Sequence, residues 1–433
     1  MTLNIKNKIF FMRITGPLVE RMLDCQRIYD YLILNGWKPT KNVKKASIVI
    51  LCTCAYSATE EEYSNILLKK YDNTRYKYSA MFVVGILPGI KPEIVQNHKN
   101  CIFINPNKLD KFDEVLSSEI QINSVAEPNK ICKKSIKFND LEKKLILLKS
   151  RFYKQKGNIF SNISSILKNY IFRLSVSKAY INPRISIYNK NYFYLRISSG
   201  CVGNCTCCPI KLGTGNLISR PINTIISEFK DGLRTGHKVF VITADDTGCY
   251  GIDKELTIID LLNSILVEGS SHNYKLVVIN YNARWLVKYY AQLKMFVKIM
   301  GNKLFYLHIP IQSGSNTILK NMNRHYSIED IVRCLKGLIN DSPKLAIATD
   351  VLVGFPGELQ EDHEATLHLI KQINFCFVDV YGYEDRLNLI TDNGVEQSLI
   401  QKRRHEILNI QKKRVSGNVF LKKGLELLQE VFA

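Results

Sequence analysis

A short loop crowded with thiols restricts this chain most. Ser199-Gly-Cys201-Val-Gly-Asn-Cys205-Thr-Cys207-Cys208-Pro209 sets three cysteines at C-x3-C-x2-C spacing, with a fourth beside the last. The run before it, Tyr192-Phe-Tyr-Leu-Arg-Ile-Ser198, reads as a buried strand ended by Ser-Gly. The thiols therefore sit on the loop leaving a strand. Three thiolates on one loop can hold three irons of a [4Fe–4S] cube and leave the fourth iron open to a ligand. Zinc fits less well, because Cys207 and Cys208 are adjacent and no second Cys/His pair follows at zinc-finger spacing. A disulfide cluster would require an oxidising compartment, to which nothing in the sequence points.

At 433 residues the chain has room for two or three domains and a sizeable core. No apolar run approaches the length that spans a bilayer, and Met1-Thr-Leu-Asn-Ile-Lys lacks a signal-peptide pattern. The expected location is cytoplasmic, with no membrane contact, where thiols stay reduced. Lys and Arg number 60 against 39 Asp and Glu, a formal net charge of +21. Such a balance suits nucleic acid, and it equally suits a Lys/Asn/Ile-rich compositional bias.

Residues 1–120 alternate strand and helix: strands at Lys8–Ile14, Ala46–Leu51, Ala80–Gly85 and Cys101–Asn105, a helix over Leu18–Leu34 and another from about Ser57. That order predicts a small parallel α/β domain. Residues 121–190 form a basic linker or insert with interleaved aromatics, such as Phe152, Tyr153, Phe160 and Tyr170. It suits phosphate or base contacts, docking of an acidic peptide, or a solvated amphipathic linker. Residues 191–385 repeat strand and helix six times. The later strands are Lys238–Thr243, Tyr274–Asn280, Lys303–His308, Leu345–Val353 and Phe375–Tyr381, with helices near Pro221–Arg234, Leu256–Val267 and Trp285–Ile299. Six βα units predict an open, partial TIM-type barrel with function at the carboxyl ends of the strands. Residues 386–433 carry a basic helix, Gln401–Val415, and a tail whose Gly424–Val431 reads as a strand.

The predicted strand ends bear chemistry. Thr243-Ala-Asp-Asp246-Thr-Gly248-Cys-Tyr250-Gly251 follows the second barrel strand, and its acids and glycines suit close approach to a ligand. His308-Ile-Pro-Ile-Gln312-Ser313-Gly-Ser315 closes another, with Ser-Gly-Ser able to cap the next helix. Thr349-Asp350 and Gly354-Phe-Pro-Gly357-Glu358 close the fifth.

Together with Ser219-Arg220-Pro221, this set resembles the radical S-adenosylmethionine (SAM) methylthiotransferases. It is most similar to the archaeal and eukaryotic branch that modifies threonylcarbamoyladenosine in tRNA. The resemblance covers about residues 5–120 and 192–375. It implies that Cys201, Cys205 and Cys208 bind a [4Fe–4S] cluster whose open iron holds SAM. Reductive cleavage of SAM would then lead to hydrogen abstraction from the substrate, with electrons from an external donor such as flavodoxin or ferredoxin. Asp246, Gly248, Gln312, Ser313 and Asp350 become candidates for binding SAM or substrate.

The family holds a second cluster on three N-terminal cysteines, and this chain departs from that pattern. Those positions fall on Pro17, Cys54 and Ile86, so Cys54 alone remains, with Cys25 and Cys52 the local spares. The expectation is one cluster. Cys207 stands where the family usually has an aromatic residue, Tyr383–Ile390 replaces a proline-rich segment, and the family's C-terminal RNA-binding barrel is reduced to one strand-like run. Three functions stay open: methylthio transfer to tRNA adenosine, a repurposed radical SAM reaction on a peptide or small metabolite, and a non-catalytic paralogue that binds RNA or a partner.

Overall fold

The computed structural model describes residues 7–98, 100–131, 141–147, 191–386 and 394–417. Most of the basic insert and the strand expected over 424–431 lie outside the described residues. The chain divides into two compact units, Met1–Leu167 with Pro209–Asn216, and Lys168–Cys208 with Leu217–Ala433.

The first unit holds a five-stranded parallel sheet in the order β2-β1-β3-β4-β5. Its strands are β1 (Ile9–Ile14), β2 (Lys38–Pro39), β3 (Ile48–Thr53), β4 (Ala80–Gly85) and β5 (Cys101–Ile104). Every residue of β3 is buried, as a central parallel strand covered on both faces requires. The two-residue β2 escaped the sequence reading because a run this short carries no periodicity. The helix Ala58–Thr74 starts where Ser57 accepts a hydrogen bond from the Glu60 N–H. β4 ends at a position only glycine fills: Gly85 has φ +126°, and a Cβ there would lie 2.1 Å from the Thr53 carbonyl oxygen.

The second unit is a six-stranded parallel sheet in the order β13-β12-β11-β10-β9-β6. Its strands are β6 (Tyr192–Arg196), β9 (Val239–Thr243), β10 (Lys275–Val278), β11 (Leu304–His308), β12 (Ala346–Val353) and β13 (Phe377–Gly382). Strands consecutive in the barrel pair in sequence and leave β6 and β13 as edges, so the fold is the expected open partial barrel. A separate antiparallel pair, β7 (Ser198–Ser199) with β8 (Ile218–Ser219), brackets the cysteine loop. Helices return the chain between strands, among them Ile222–Arg234, Ile258–Glu268, Ile328–Asp341 and Gln360–Gln372. Under them Phe229, Phe240 and Tyr274 meet edge to face, with ring centroids 4.7–5.9 Å apart. The single helix expected over Trp285–Ile299 is two, Ala283–Lys288 and Tyr290–Met300. Asn282 caps the first by accepting from the Arg284 N–H, which moves its start earlier.

Gly85→Ala should cost about 1–3 kcal/mol from overpacking alone. A urea titration should show a lower midpoint with an unchanged slope.

Candidate metal centre

The cysteine loop is held at both ends and in the middle. Gly200 turns with φ +74° and donates its N–H to Asp245 Oδ2 at 2.8 Å. The Gly203 N–H points at Cys201 Sγ, 3.1 Å away. A Cβ on Gly203 would lie 3.2 Å from Cys201 Sγ and 3.7 Å from Cys205 Sγ, so both sulfurs face the same backbone turn. The Cys208 N–H bonds the Cys205 carbonyl at 3.2 Å. The turn after the helix Asn316–Asn321 clamps the middle: the Thr206 N–H meets the Met322 carbonyl at 3.2 Å, Thr206 Oγ1 the Asn321 carbonyl at 3.0 Å, and Asn323 Nδ2 the Asn204 carbonyl at 2.9 Å. All four loop cysteines are half-buried. Three thiols on one pinned loop, with a backbone N–H already aimed at a sulfur, suit an iron–sulfur cube.

The loop after β9 backs this one. Asp246 is buried, and its carboxylate accepts from Trp285 Nε1 at 3.0 Å and the Gly248 N–H at 3.0 Å. Burial raises its pKa, while those donors and Arg324 pull it back. Its Oδ2 lies 3.7 Å from Cys201 Sγ. Gly248 leaves room for the indole, since a Cβ there would fall 2.3 Å from Trp285 Cδ1. Cys249, also buried, hydrogen-bonds the Cys201 thiol, which lowers the Cys201 pKa and raises that of Cys249. Burial raises the pKa of Cys205.

Further strand ends build the remaining wall. His308 Nδ1 accepts from the Asn280 N–H at 3.2 Å, so Nε2 carries the proton and donates to Asp350 Oδ1 at 3.0 Å. Asn280 and Gln312 both hold left-handed backbone, φ +59° and +78°, strain that clusters at ligand sites. Ser313 differs from the other candidates. It is fully buried and spends its hydroxyl on the Ser315 N–H and Thr366. Ser315 caps the next helix, as expected. Two motifs serve architecture: Arg220 bonds the Arg196 carbonyl and Glu228, and Glu358 accepts from the Gly354 N–H and Arg403.

Comparison with known proteins fits this geometry. The Radical SAM superfamily model matches residues 195–370. A probable threonylcarbamoyladenosine tRNA methylthiotransferase of Methanocaldococcus jannaschii is 29% identical, over 91% of this chain and 80% of that protein. Its counterpart in Pyrococcus horikoshii is 27% identical, over 82% and 72%. The ribosomal protein uS12 methylthiotransferase RimO of a Thermotoga species is 26% identical, over 90% and 80%. Among solved structures, the radical SAM methyltransferase TsrM of Kitasatospora setae shares the fold, with TM-score 0.55 and 10% identity over 87% of this chain and 73% of that one. The chain carries a Radical SAM domain and is similar to the radical SAM methylthiotransferases over most of its length. It is a radical SAM enzyme, and its cofactors are a [4Fe–4S] cluster and SAM. Among the described residues, no helix is long and apolar enough to cross a membrane.

The family's second cluster does not fit the residues present. Cys54 is fully buried, and burial followed by the Glu60 charge pushes its thiol up to about 12. Gly16 lies directly on it: a Cβ there would fall 2.2 Å from Cys54 Cβ. Thr15 Oγ1 accepts from the Cys54 N–H at 2.8 Å, and the Ser64 hydroxyl donates to the Cys54 carbonyl at 2.7 Å. Cys54 packs with Ala55, Ile86, Leu87 and Ile90 in one apolar cluster. Cys25 and Cys52 are buried and hydrogen-bonded to each other, away from that cluster. The surroundings of Cys54 are aliphatic, each buried aliphatic side chain contributing about 1.5–3 kcal/mol.

Trp285, Cys249 and Arg324 were not legible as site residues. The Arg324 guanidinium bonds Tyr326 and lies within electrostatic reach of Cys205, Cys207, Cys208 and Asp246. Its Nε is buried without a partner among the described residues. A cation there suits a site that gathers thiolates. Arg324 sits 116 residues beyond Cys208, and no local spacing marks it. Cys207 turns to Phe355 and Tyr383, whose rings meet at 5.2 Å.

Ile86→Ala should cost about 2–5 kcal/mol by opening a cavity. Iron content after anaerobic reconstitution should not change in Ile86→Ala or Cys54→Ala.

Proposed function

We propose that the chain is a single-cluster radical SAM enzyme that abstracts hydrogen from its substrate without inserting sulfur. The observation that supports this reading is the apolar cluster in which Cys54 is sealed with Ala55, Ile86, Leu87 and Ile90. Cys201, Cys205 and Cys208 would hold the one cluster. When bound, it supplies the electron that cleaves SAM and so generates the hydrogen-abstracting fragment. The protein's share is position and shielding. The 321–323 turn fixes the loop, Arg324 offsets the negative charge of three thiolates, and the left-handed turns at Asn280 and Gln312 line the strand ends where SAM and substrate would lie. The His308–Asp350 pair, with its proton fixed on Nε2, offers a polar contact there. The electron comes from an external flavodoxin- or ferredoxin-type donor in the cytoplasm.

A tRNA substrate is the second part of the proposal. It is supported by the relatives described as tRNA methylthiotransferases and by the net charge of +21. A peptide or small metabolite is the competing substrate class, and salt-sensitive tRNA binding separates them.

Reconstituted protein supplied with SAM and dithionite should release 5′-deoxyadenosine and methionine. Cys201→Ala, Cys205→Ala and Cys208→Ala should each abolish that release. With bulk tRNA as substrate, nucleoside mass spectrometry should find no new methylthio nucleoside. Its appearance would overturn the sulfur-free reading.

A further inference from the structure

Cys249 lies outside the C-x3-C-x2-C loop, yet its sulfur sits beside Cys201. The two Sγ atoms and a carboxylate oxygen of Asp246 all lie within 4.8 Å of one another. Cys249 is fully buried and fixed on two sides. Its sulfur accepts the Val202 N–H, and its S–H lies 3.1 Å from the Asp246 carbonyl oxygen.

A metal-bound cysteine is a thiolate and carries no proton. With Cys201 coordinated, the Cys249 thiol is the sole S–H of the pair. That proton faces two acceptors, the neutral carbonyl of Asp246 and the anionic sulfur of Cys201. Charge-assisted hydrogen bonds are roughly twice as strong as neutral ones, so the Cys249 S–H donates its hydrogen bond to the thiolate and keeps its proton. The Gly203 N–H already points at the same sulfur, and Cys249 adds a second donor.

We propose that Cys249 donates its S–H to the cluster-bound sulfur of Cys201 and raises the cluster's reduction potential. It acts as a positioning residue rather than a ligand. Hydrogen bonds to ligand sulfurs are one of the protein's levers on cluster potential. They stabilise negative charge, and the reduced cluster carries one more electron than the oxidised one. Stabilisation is therefore larger in the reduced form, and the electron from the external donor is more readily accepted. The inference rests on the reading that Cys201, Cys205 and Cys208 hold the cluster.

The test is an EPR-monitored redox titration of the reconstituted full chain, with iron content measured alongside, for wild type, Cys249→Ala and Cys249→Ser. All three should bind equal iron. The midpoint of Cys249→Ala should shift negative, while Cys249→Ser keeps a hydroxyl donor and stays near wild type. Equal iron with an unchanged Cys249→Ala midpoint overturns this inference alone. Loss of iron in both variants also overturns it, by making Cys249 a ligand or a structural strut. A wild-type chain without a reducible cluster overturns the proposed function and this inference together.

Discussion

The buried carboxylate of Asp246 is the interaction on which the candidate centre depends. It receives the Trp285 indole N–H and the Gly248 N–H, and it faces the Cys201 sulfur. It thereby ties the loop after β9 and the helix Ala283–Lys288 to the cysteine loop. A buried carboxylate without those donors would be costly. With them it fixes where Cys249 and Gly248 stand. The barrel supplies the rest, because parallel strands in sequence order bring all their carboxyl-end loops to one rim.

The two units treat the same chemistry in opposite ways. The barrel keeps its loop thiols half-buried, pinned by backbone donors and beside a guanidinium. The N-terminal unit buries Cys54 under Gly16 and among Ile86, Leu87 and Ile90. On the proposed reading, a ligand set reduced from three to one leaves no means of holding a cube, and apolar packing stands around Cys54 instead. The scaffold survives because its stability comes from the parallel sheet, with β3 buried along its whole length.

The sequence made the fold legible where its signals are local. Alternating strand and helix foretold both parallel sheets, and the thiol spacing marked the loop. Pro17 and Ile86 were legible as missing ligands. The sealing of Cys54 was not, since it needs Gly16 to pack across from a different strand end. Cys249 read as part of a glycine-rich turn, and only the register of β6 beside β9 brings it to Cys201. Arg324 arrives from a turn that no periodicity links to the cysteines. Ser313 stood among the ligand candidates because a serine beside glycines at a strand end suits a binding loop. Its hydroxyl serves the following turn instead.

The most direct test of the central claim is iron and acid-labile sulfide per chain after anaerobic reconstitution, with Mössbauer spectroscopy of the product. A single-cluster enzyme contains about four irons per chain in one cube. About eight irons in two cubes would contradict the account and restore sulfur insertion as the chemistry of this chain.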